Sequence, residues 1–174
     1  MQTGVLMKKG VYPDLWVENI YEMDLNMLKG QGIKGFIFDI DNTLVANSAK
    51  EPAKELIEWV NGLLKQGFKA SILSNASNSR VERFVKNLGI EAIGKGRKPL
   101  VKKYRELALR MGLEPREIAM VGDQIFTDIW GGNRFGAFTV LVDPVFINEP
   151  FYIKLKRIVE IPVMRKLRKN GRSN

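Results

Sequence analysis

Two acidic clusters are the parts of this sequence best suited to chemistry, because each stands directly after an apolar run. Asp39 and Asp41 end the run in GFIFDIDNTL, and Asp123 and Asp128 follow the run in EIAMVGDQIFTDI. Carboxylates this close together repel one another and are costly to desolvate, so they indicate a cation, a shared proton or a reacting group between them. A solvated loop that caps the next helix is the alternative for Asp39 and Asp41, and the second cluster argues against it.

The elements that must position these acids alternate along the chain. An amphipathic stretch between Leu15 and Leu28 comes first. Apolar runs then predict strands at residues 33–38, 68–73, 90–93, 117–121 and 137–142, and helical periodicity predicts helices at 52–66, 78–88, 99–112 and 125–134. Repeated β-α units of this kind predict an α/β fold, a three-layer α/β/α sandwich around a mostly parallel sheet.

A parallel sheet would bring the two acidic clusters together. The carboxyl ends of its strands meet at one edge, which is where open α/β folds bind their ligands. Four carboxylates at that edge form a hard, oxygen-rich site, which matches Mg²⁺ better than a softer metal.

The composition excludes several other chemistries. The 174 residues include no His and no Cys, so a Ser-His-Asp triad, a thiolate nucleophile, a disulfide and an ordinary zinc site are excluded. Acid-base work must fall to carboxylates, Lys or Tyr. The length is that of one domain. The sequence shows neither an apolar run of about 18 residues nor a cleavable signal pattern, which predicts a cytoplasmic location.

Two further signals lie between the acidic clusters. Ser74 and Asn75 follow the apolar part of ASILSNAS, where hydroxyl and amide groups could donate hydrogen bonds to an anion. Ser and Asn are also common helix caps, so capping stays open for Asn75, Ser77 and Asn78. Lys98, in GKGRKPL, is either a solvated surface lysine or a point cation that balances the carboxylates and binds phosphate.

The order of these parts resembles the haloacid-dehalogenase-like (HAD) phosphohydrolase superfamily. DIDNT, Ser74-Asn75, Lys98 and GDQIFTD match its four ordered motifs over roughly residues 33–143, and a Rossmann-like core is the fold that this implies. The stretches GIKGFIFDIDNTLV and GDQIFTDI, with Gly131-Gly132-Asn133, look more narrowly like the YqeG-like subclass IIIA branch. That branch also contains the mitochondrial phosphatidylglycerophosphatases.

The resemblance implies a role for each motif residue. Asp39 would be the nucleophile that forms an aspartyl-phosphate, and Asp41 would be the general acid and then the general base. Mg²⁺ would be held by Asp39, the backbone carbonyl of Asp41, Asp123 and Asp128, the last directly or through water. The residues expected to bind the phosphoryl oxygens are Thr43, Ser74, Asn75 and Lys98.

The spacing between motifs bears on the substrate. The gaps from Asp41 to Ser74 and from Ser74 to Lys98 each have room for only one helix and one strand. Family members that act on small metabolites commonly insert a cap domain in one of these gaps, and none fits here. An open site favours a phosphate on something large, such as a lipid surface, a protein or a nucleic acid, or it needs a partner subunit to cover it.

The last part of the chain differs in character, which suggests a domain over residues 1–150 and a basic tail over 151–174. The tail has eight Lys or Arg against Glu160 alone, so it carries +7 of the net charge of +9. Such an apolar and basic mixture could lie on an anionic membrane, with phosphatidylglycerophosphate as the leading substrate. It could equally be a final helix packed on the domain, and basic tails also bind nucleic acid. A non-catalytic RNA- or ribosome-associated module is the alternative from another functional class.

Overall fold

The computed structural model describes residues 10–145 and shows one six-stranded sheet in which every strand pairing is parallel. The strands are β1 (Leu15–Val17), β2 (Gly35–Phe38), β3 (Lys69–Leu73), β4 (Glu91–Ile93), β5 (Ile118–Gly122) and β6 (Phe138–Val142). The helices are α1 (Leu25–Gly30), α2 (Lys54–Lys65), α3 (Asn78–Val85), α4 (Lys102–Met111) and α5 (Trp130–Phe135). The predicted three-layer α/β fold is confirmed.

The helices cover both faces of the sheet because successive side chains of a strand point to opposite faces. Phe36 and Phe38 of β2 pack with the apolar sides of α2 and α3, while Ile37 between them packs with α4. All residues of β2 and β5 are buried, as expected for central strands with helices on both sides. Packing on both faces fixes the positions of the central strands, and therefore the points where the loops after them begin.

The strand order, β1-β6-β5-β2-β3-β4, changes direction between β2 and β5. The chain builds outward from β2 through β3 to β4, and then returns to place β5 on the other side of β2. At such a switch point the loops after the two central strands diverge and leave a crevice at the carboxyl edge of the sheet, where ligands bind in open α/β folds. Asp39 follows β2 and Asp123 follows β5, so both acidic clusters lie at this crevice.

The structure departs from the sequence prediction in three places. The stretch from Leu15 to Leu28 is not one amphipathic element: it holds β1, a 3₁₀ turn (Ile20–Glu22) and α1. A three-residue strand is too short to show a period, and β1 is defined by its pairing with the distant β6. The helix predicted at 125–134 is a π turn (Ile125–Ile129) followed by α5. Helix α4 begins at Lys102, three residues later than predicted.

The gaps that could hold a cap domain contain only α2 with β3 and α3 with β4, so the core has no cap between its motifs, as predicted. Within residues 10–145, no helix is both long enough and apolar enough to cross a membrane. The proposed tail, 151–174, lies outside the described residues, and so does the boundary near residue 150.

Candidate active site

Three buried carboxylates form the centre of the candidate site. Oxygen atoms of Asp39, Asp123 and Asp128 lie within 4.8 Å of one another, and the three residues are 4%, 2% and 0% exposed. The register of the sheet explains the meeting of the first two: Phe38 lies beside Val121, and the Asp39 N–H donates to the Val121 carbonyl at 2.9 Å. The predicted convergence of the two acidic clusters therefore occurs.

Lys98 supplies the positive charge of this centre. Its Nζ lies 2.6 Å from Oδ1 of Asp39 and 2.6 Å from Oδ1 of Asp128, with only 2% of its side chain exposed. Burial alone would lower the pKa of Lys98, but the carboxylates of Asp128 and Asp39 raise it above the ordinary value, so the ammonium stays charged. The solvated alternative for Lys98 is excluded.

The ionised form of Asp39 is costly in the metal-free protein. Burial raises the pKa of Asp39 to about 7; Lys98 opposes this rise, and the neighbouring carboxylates of Asp128 and Asp41 add to it. A strongly perturbed acid in a crevice is a candidate for chemistry. A cation beside these carboxylates would favour their ionised forms.

Asn75 and Ser74 come from the loop after β3. The Asn75 side chain accepts a hydrogen bond from the Lys98 N–H at 2.8 Å and donates to the Lys98 carbonyl at 3.4 Å, so it holds the backbone from which the Lys98 side chain extends. Ser74 is buried, and its Oγ accepts from the Ala76 N–H at 3.1 Å, which still leaves a hydroxyl its own O–H to donate. The cap of α3 is Ser77, not Asn75.

Thr43 touches the acidic centre from the turn after β2. Its Oγ1 donates to Oδ1 of Asp123 at 3.2 Å, across 80 residues of sequence. The turn is tight because Asn42 has a φ of +62°, a left-handed conformation that Asn tolerates better than most residues. Thr43 therefore has a direct role in orienting an acid, which sequence reasoning did not predict.

Asp41 lies beside an arginine that sequence reasoning missed. The Arg80 guanidinium, from the first turn of α3, forms an ion pair with Oδ1 of Asp41. The available signal was a basic residue near the start of the helix that follows Ser74-Asn75, but 39 residues separate Arg80 from its partner. Gln124 and Thr127, which the sequence analysis also passed over, line the same cavity.

The π turn after β5 places Asp128 at the centre. Oδ2 of Asp128 accepts from the Gln124 N–H at 3.0 Å, and the Asp128 N–H donates to the Gln124 carbonyl at 2.9 Å. Turns of this type are frequent at functional sites. Gly122 makes the close approach achievable, because a Cβ there would overlap the Cβ and Cγ of Asp128.

We therefore expect Gly122→Ala to displace Asp128 and disturb its contact with Lys98. The expected result is a loss of activity of about 10²-fold, because misplacement by about 1 Å can have that effect. Gly62→Ala is the matched control: nothing lies within 4 Å of its added Cβ, and the exchange should stabilise α2. Phosphate release and thermal unfolding of both variants would measure this, and full activity of Gly122→Ala would contradict the packing argument.

The site opens into a cavity of about 330 Å³. Its lining combines two acids, one of them from the buried centre, with polar and cationic groups: Asp39, Asp41, Asn47, Ser74, Asn75, Ala76, Arg80, Lys98, Gln124 and Thr127. A phosphate entering this cavity would meet both the carboxylates that follow β2 and the Lys98 ammonium.

The acidic triad suits a hard divalent cation. Its three side chains offer only carboxylate oxygens, and neither His nor Cys exists in the chain to favour a softer metal. Lys98 neutralises one of the negative charges, which leaves the centre with a net negative charge for a cation when all three acids are ionised.

Comparison with known proteins assigns the chain to a family. The family described as mitochondrial PGP phosphatase matches residues 1–146. A Bacillus subtilis protein named "Probable phosphatase YqeG" is 37% identical over 166 residues, which are 95% of this chain and 96% of that protein. An Arabidopsis thaliana phosphatidylglycerophosphate phosphatase 1 is 30% identical over 173 residues, covering 92% of this chain and 49% of the plant protein.

Solved structures agree on the fold. D,D-heptose 1.7-bisphosphate phosphatase from B. bronchiseptica, solved with magnesium and phosphate, superposes with a TM-score of 0.52 at 16% identity, over 63% of this chain and 80% of that one. The sheet order, the four motifs at its carboxyl edge and the sequence similarity point the same way. The chain belongs to the mitochondrial PGP phosphatase family, in the YqeG branch of the haloacid-dehalogenase-like phosphatases, and it is a phosphatase.

Proposed function

We propose that this phosphatase is a Mg²⁺-dependent phosphomonoester hydrolase that works through an aspartyl-phosphate. The observation that carries the proposal is the buried centre in which Asp39, Asp123 and Asp128 meet with Lys98 between two of them. Hydrolysis through a covalent intermediate needs a nucleophile, a proton donor and compensation of the phosphate's charge, and the cavity contains a candidate for each.

The first step transfers the phosphoryl group to the enzyme. A carboxylate oxygen of Asp39 forms a bond to phosphorus while the ester P–O bond breaks, and Asp41 gives its proton to the departing alkoxide. Asp41 suits this role because it lines the same cavity two residues after Asp39 and is partly exposed, with 21% of its side chain accessible.

The second step restores the enzyme. Asp41, now ionised, takes a proton from water as the water oxygen attacks phosphorus, and the bond from phosphorus to Asp39 breaks to release inorganic phosphate. In both steps Lys98 and Ser74 would hold phosphoryl oxygens, with Asn75 as a further donor at the edge of the centre. Thr43 would join them by turning its single O–H from Asp123 to the phosphoryl group. The contacts of Thr43 with Asp123 and of Asn75 with Lys98 also fix the groups beside them.

Mg²⁺ fits the acidic centre, and Asp39, Asp123, Asp128 and the Asp41 carbonyl would hold it. When bound, it would supply charge that lets an anionic nucleophile approach an anionic phosphate. Positional support comes from the register of β2 and β5: Phe38 lies beside Val121, so Asp39 and Asp123 follow neighbouring strand ends.

For the substrate, we propose phosphatidylglycerophosphate. Support comes from the family match, from the named activity of the plant relative and from the absence of a cap between the motifs of the core. A basic tail over 151–174, which carries +7, would hold the enzyme at the anionic membrane that contains such a lipid.

The experiment is a Mg²⁺-dependent phosphate-release assay on purified protein. Phosphatidylglycerophosphate in mixed micelles is compared with glycerol 3-phosphate, a nucleotide, a sugar phosphate and a phosphopeptide. We expect kcat/KM for the lipid to exceed that for glycerol 3-phosphate by about tenfold or more, because binding energy from the non-reacting part of a substrate accelerates the reaction.

The outcomes separate the parts of the proposal. Equal turnover of all the phosphates, or none of the lipid, would overturn the lipid assignment while leaving a phosphatase. Salt-sensitive RNA binding without phosphate release from any member of the panel would instead favour a binding module.

A further inference from the structure

Arg80 binds several acceptors of the segment that follows β2. Its Nη2 contacts Oδ1 of Asp41 and the Asn47 carbonyl, the latter at 3.1 Å, and its Nη1 donates to the Ala49 carbonyl at 3.0 Å. The guanidinium is planar and its donors form a rigid fork, so three simultaneous acceptors fix its orientation. An exposed surface pair would not be held in this way, and here only 23% of the Arg80 side chain is accessible.

The backbone that carries Arg80 is also fixed. Arg80 lies in the first turn of α3, and its N–H donates to Oγ of the capping Ser77 at 3.3 Å. The start of α3 packs closely against Gly94, where an added Cβ would come within 2.8 Å of the Asn78 Cα. Arg80 is therefore held at both ends, by α3 and by the β2 loop, and Asp41 contacts a fixed group.

We propose that Arg80 is the positioning residue for the proton transfer carried out by Asp41. The inference rests on the proposed function, in which Asp41 protonates the leaving group and then deprotonates water. Arg80 contacts Oδ1, and a carboxyl group needs only its other oxygen, Oδ2, to carry a proton. By holding Oδ1 against the cavity wall, Arg80 keeps Asp41 from rotating away from the departing oxygen.

Two other roles for Arg80 would give different results. If Arg80 only tied the 46–50 loop to α3, its loss would weaken the fold and lower activity on every phosphate ester equally. If Arg80 bound an anionic part of the substrate, its loss would raise KM for esters with a second anionic group. A positioning role predicts an effect that depends on whether the leaving group needs a proton.

The test uses two esters with a single phosphate group, glycerol 3-phosphate and p-nitrophenyl phosphate. An alkoxide needs a proton to leave, whereas p-nitrophenolate leaves without one. Because kcat/KM reports the steps up to formation of the aspartyl-phosphate, Arg80→Gln should lower it about 10²-fold for glycerol 3-phosphate and less than about threefold for p-nitrophenyl phosphate. Asp41→Asn should show the same pattern.

Three comparisons complete the experiment. The double variant R80Q/D41N should lose no more than Asp41→Asn alone, because both changes remove one function. Arg80→Lys should restore part of the loss, since it keeps a cation but not the fork. Arg83→Gln, at an exposed position of the same helix, should behave as wild type.

Equal losses of kcat/KM on the two esters, or losses that add in the double variant, would overturn the positioning role of Arg80. The proposed function would still stand in that case, provided that the wild-type protein hydrolyses the esters. A wild-type protein that releases phosphate from neither ester with Mg²⁺ present would overturn the proposed function, and this inference with it.

Discussion

Asp39→Asn is expected to abolish Mg²⁺-dependent phosphate release without weakening the fold. An amide oxygen is a poor nucleophile toward phosphorus, so we expect a loss of about 10³-fold or more on every substrate. The folded protein should tolerate the change, because Asn has nearly the same shape as Asp and can still accept a hydrogen bond from Lys98. Phosphate release with saturating Mg²⁺ measures the first effect.

The stability of Asp39→Asn gives a second and independent readout. Burial and the neighbouring Asp128 make ionised Asp39 costly in the metal-free protein, and Asn removes that cost while Lys98 keeps its contact with Asp128. In EDTA, the midpoint of thermal unfolding should therefore equal or exceed that of wild type. Active sites often show this exchange of stability for function.

Mg²⁺ should stabilise Asp39→Asn less than it stabilises wild type. The variant lacks one negatively charged oxygen that would bind the ion, and an ion stabilises a protein only to the extent that it binds the folded state. Asp24→Asn is the matched control, since Asp24 caps α1 outside the four motifs and Asn is an equally good cap. Turnover by Asp39→Asn at the wild-type rate would reject the covalent mechanism.

Lys98→Met should have the second-largest effect, on activity and on stability together. The Lys98 ammonium is buried between Asp39 and Asp128, so its removal leaves two buried carboxylates without their shared cation. Breaking a buried ion pair in this way typically costs about 3–5 kcal/mol. Activity should fall about 10³-fold, at the upper end of what the loss of one charge-stabilising donor causes.

The direction of the metal effect distinguishes this variant from a general packing defect. In EDTA, Lys98→Met should unfold at a clearly lower urea concentration than wild type. Addition of Mg²⁺ should raise the urea midpoint of the variant more than that of wild type, because the cation replaces part of the missing charge. Lys54→Met, at a largely exposed position of α2, is the matched control and should change neither property. Equal stability of Lys98→Met and wild type in EDTA would show that Lys98 is not what balances the two acids.

The predicted site and the observed one agree most closely for residues that end strands. Asp39, Ser74 and Asp123 each follow an apolar run, so the sequence shows both the strand and the polar residue at its end. In a parallel sheet all such ends lie at one edge. The topology alone therefore explains why Asp39 and Asp123, which are 84 positions apart, lie close together. Helix α2 was predictable from another local pattern, because it has apolar residues at helical spacing along its length.

The partners of these residues were not predictable in the same way. Thr43 was predicted to bind phosphate, and its hydrogen bond to Asp123 was not foreseen. The bond from Asn75 to the Lys98 backbone was not foreseen either, and Arg80 was not singled out although it contacts Asp41. These are side-chain contacts across 23 to 80 residues of sequence, as the separations of the Asn75, Arg80 and Thr43 pairs show. No local pattern records them, because each depends on how two loops are set against each other by the sheet.

The sequence by itself determined the fold class, the acids and lysine of the site and the hard character of the cation they suit, because residue type and apolar periodicity are local properties. Only the tertiary structure decided that β1 completes the sheet, that the turn carrying Asp128 is a π turn against Gly122, and that Arg80 contacts Asp41. The physical reason is that strand register and packing against distant segments determine which groups a long side chain contacts. No short stretch of sequence contains that information.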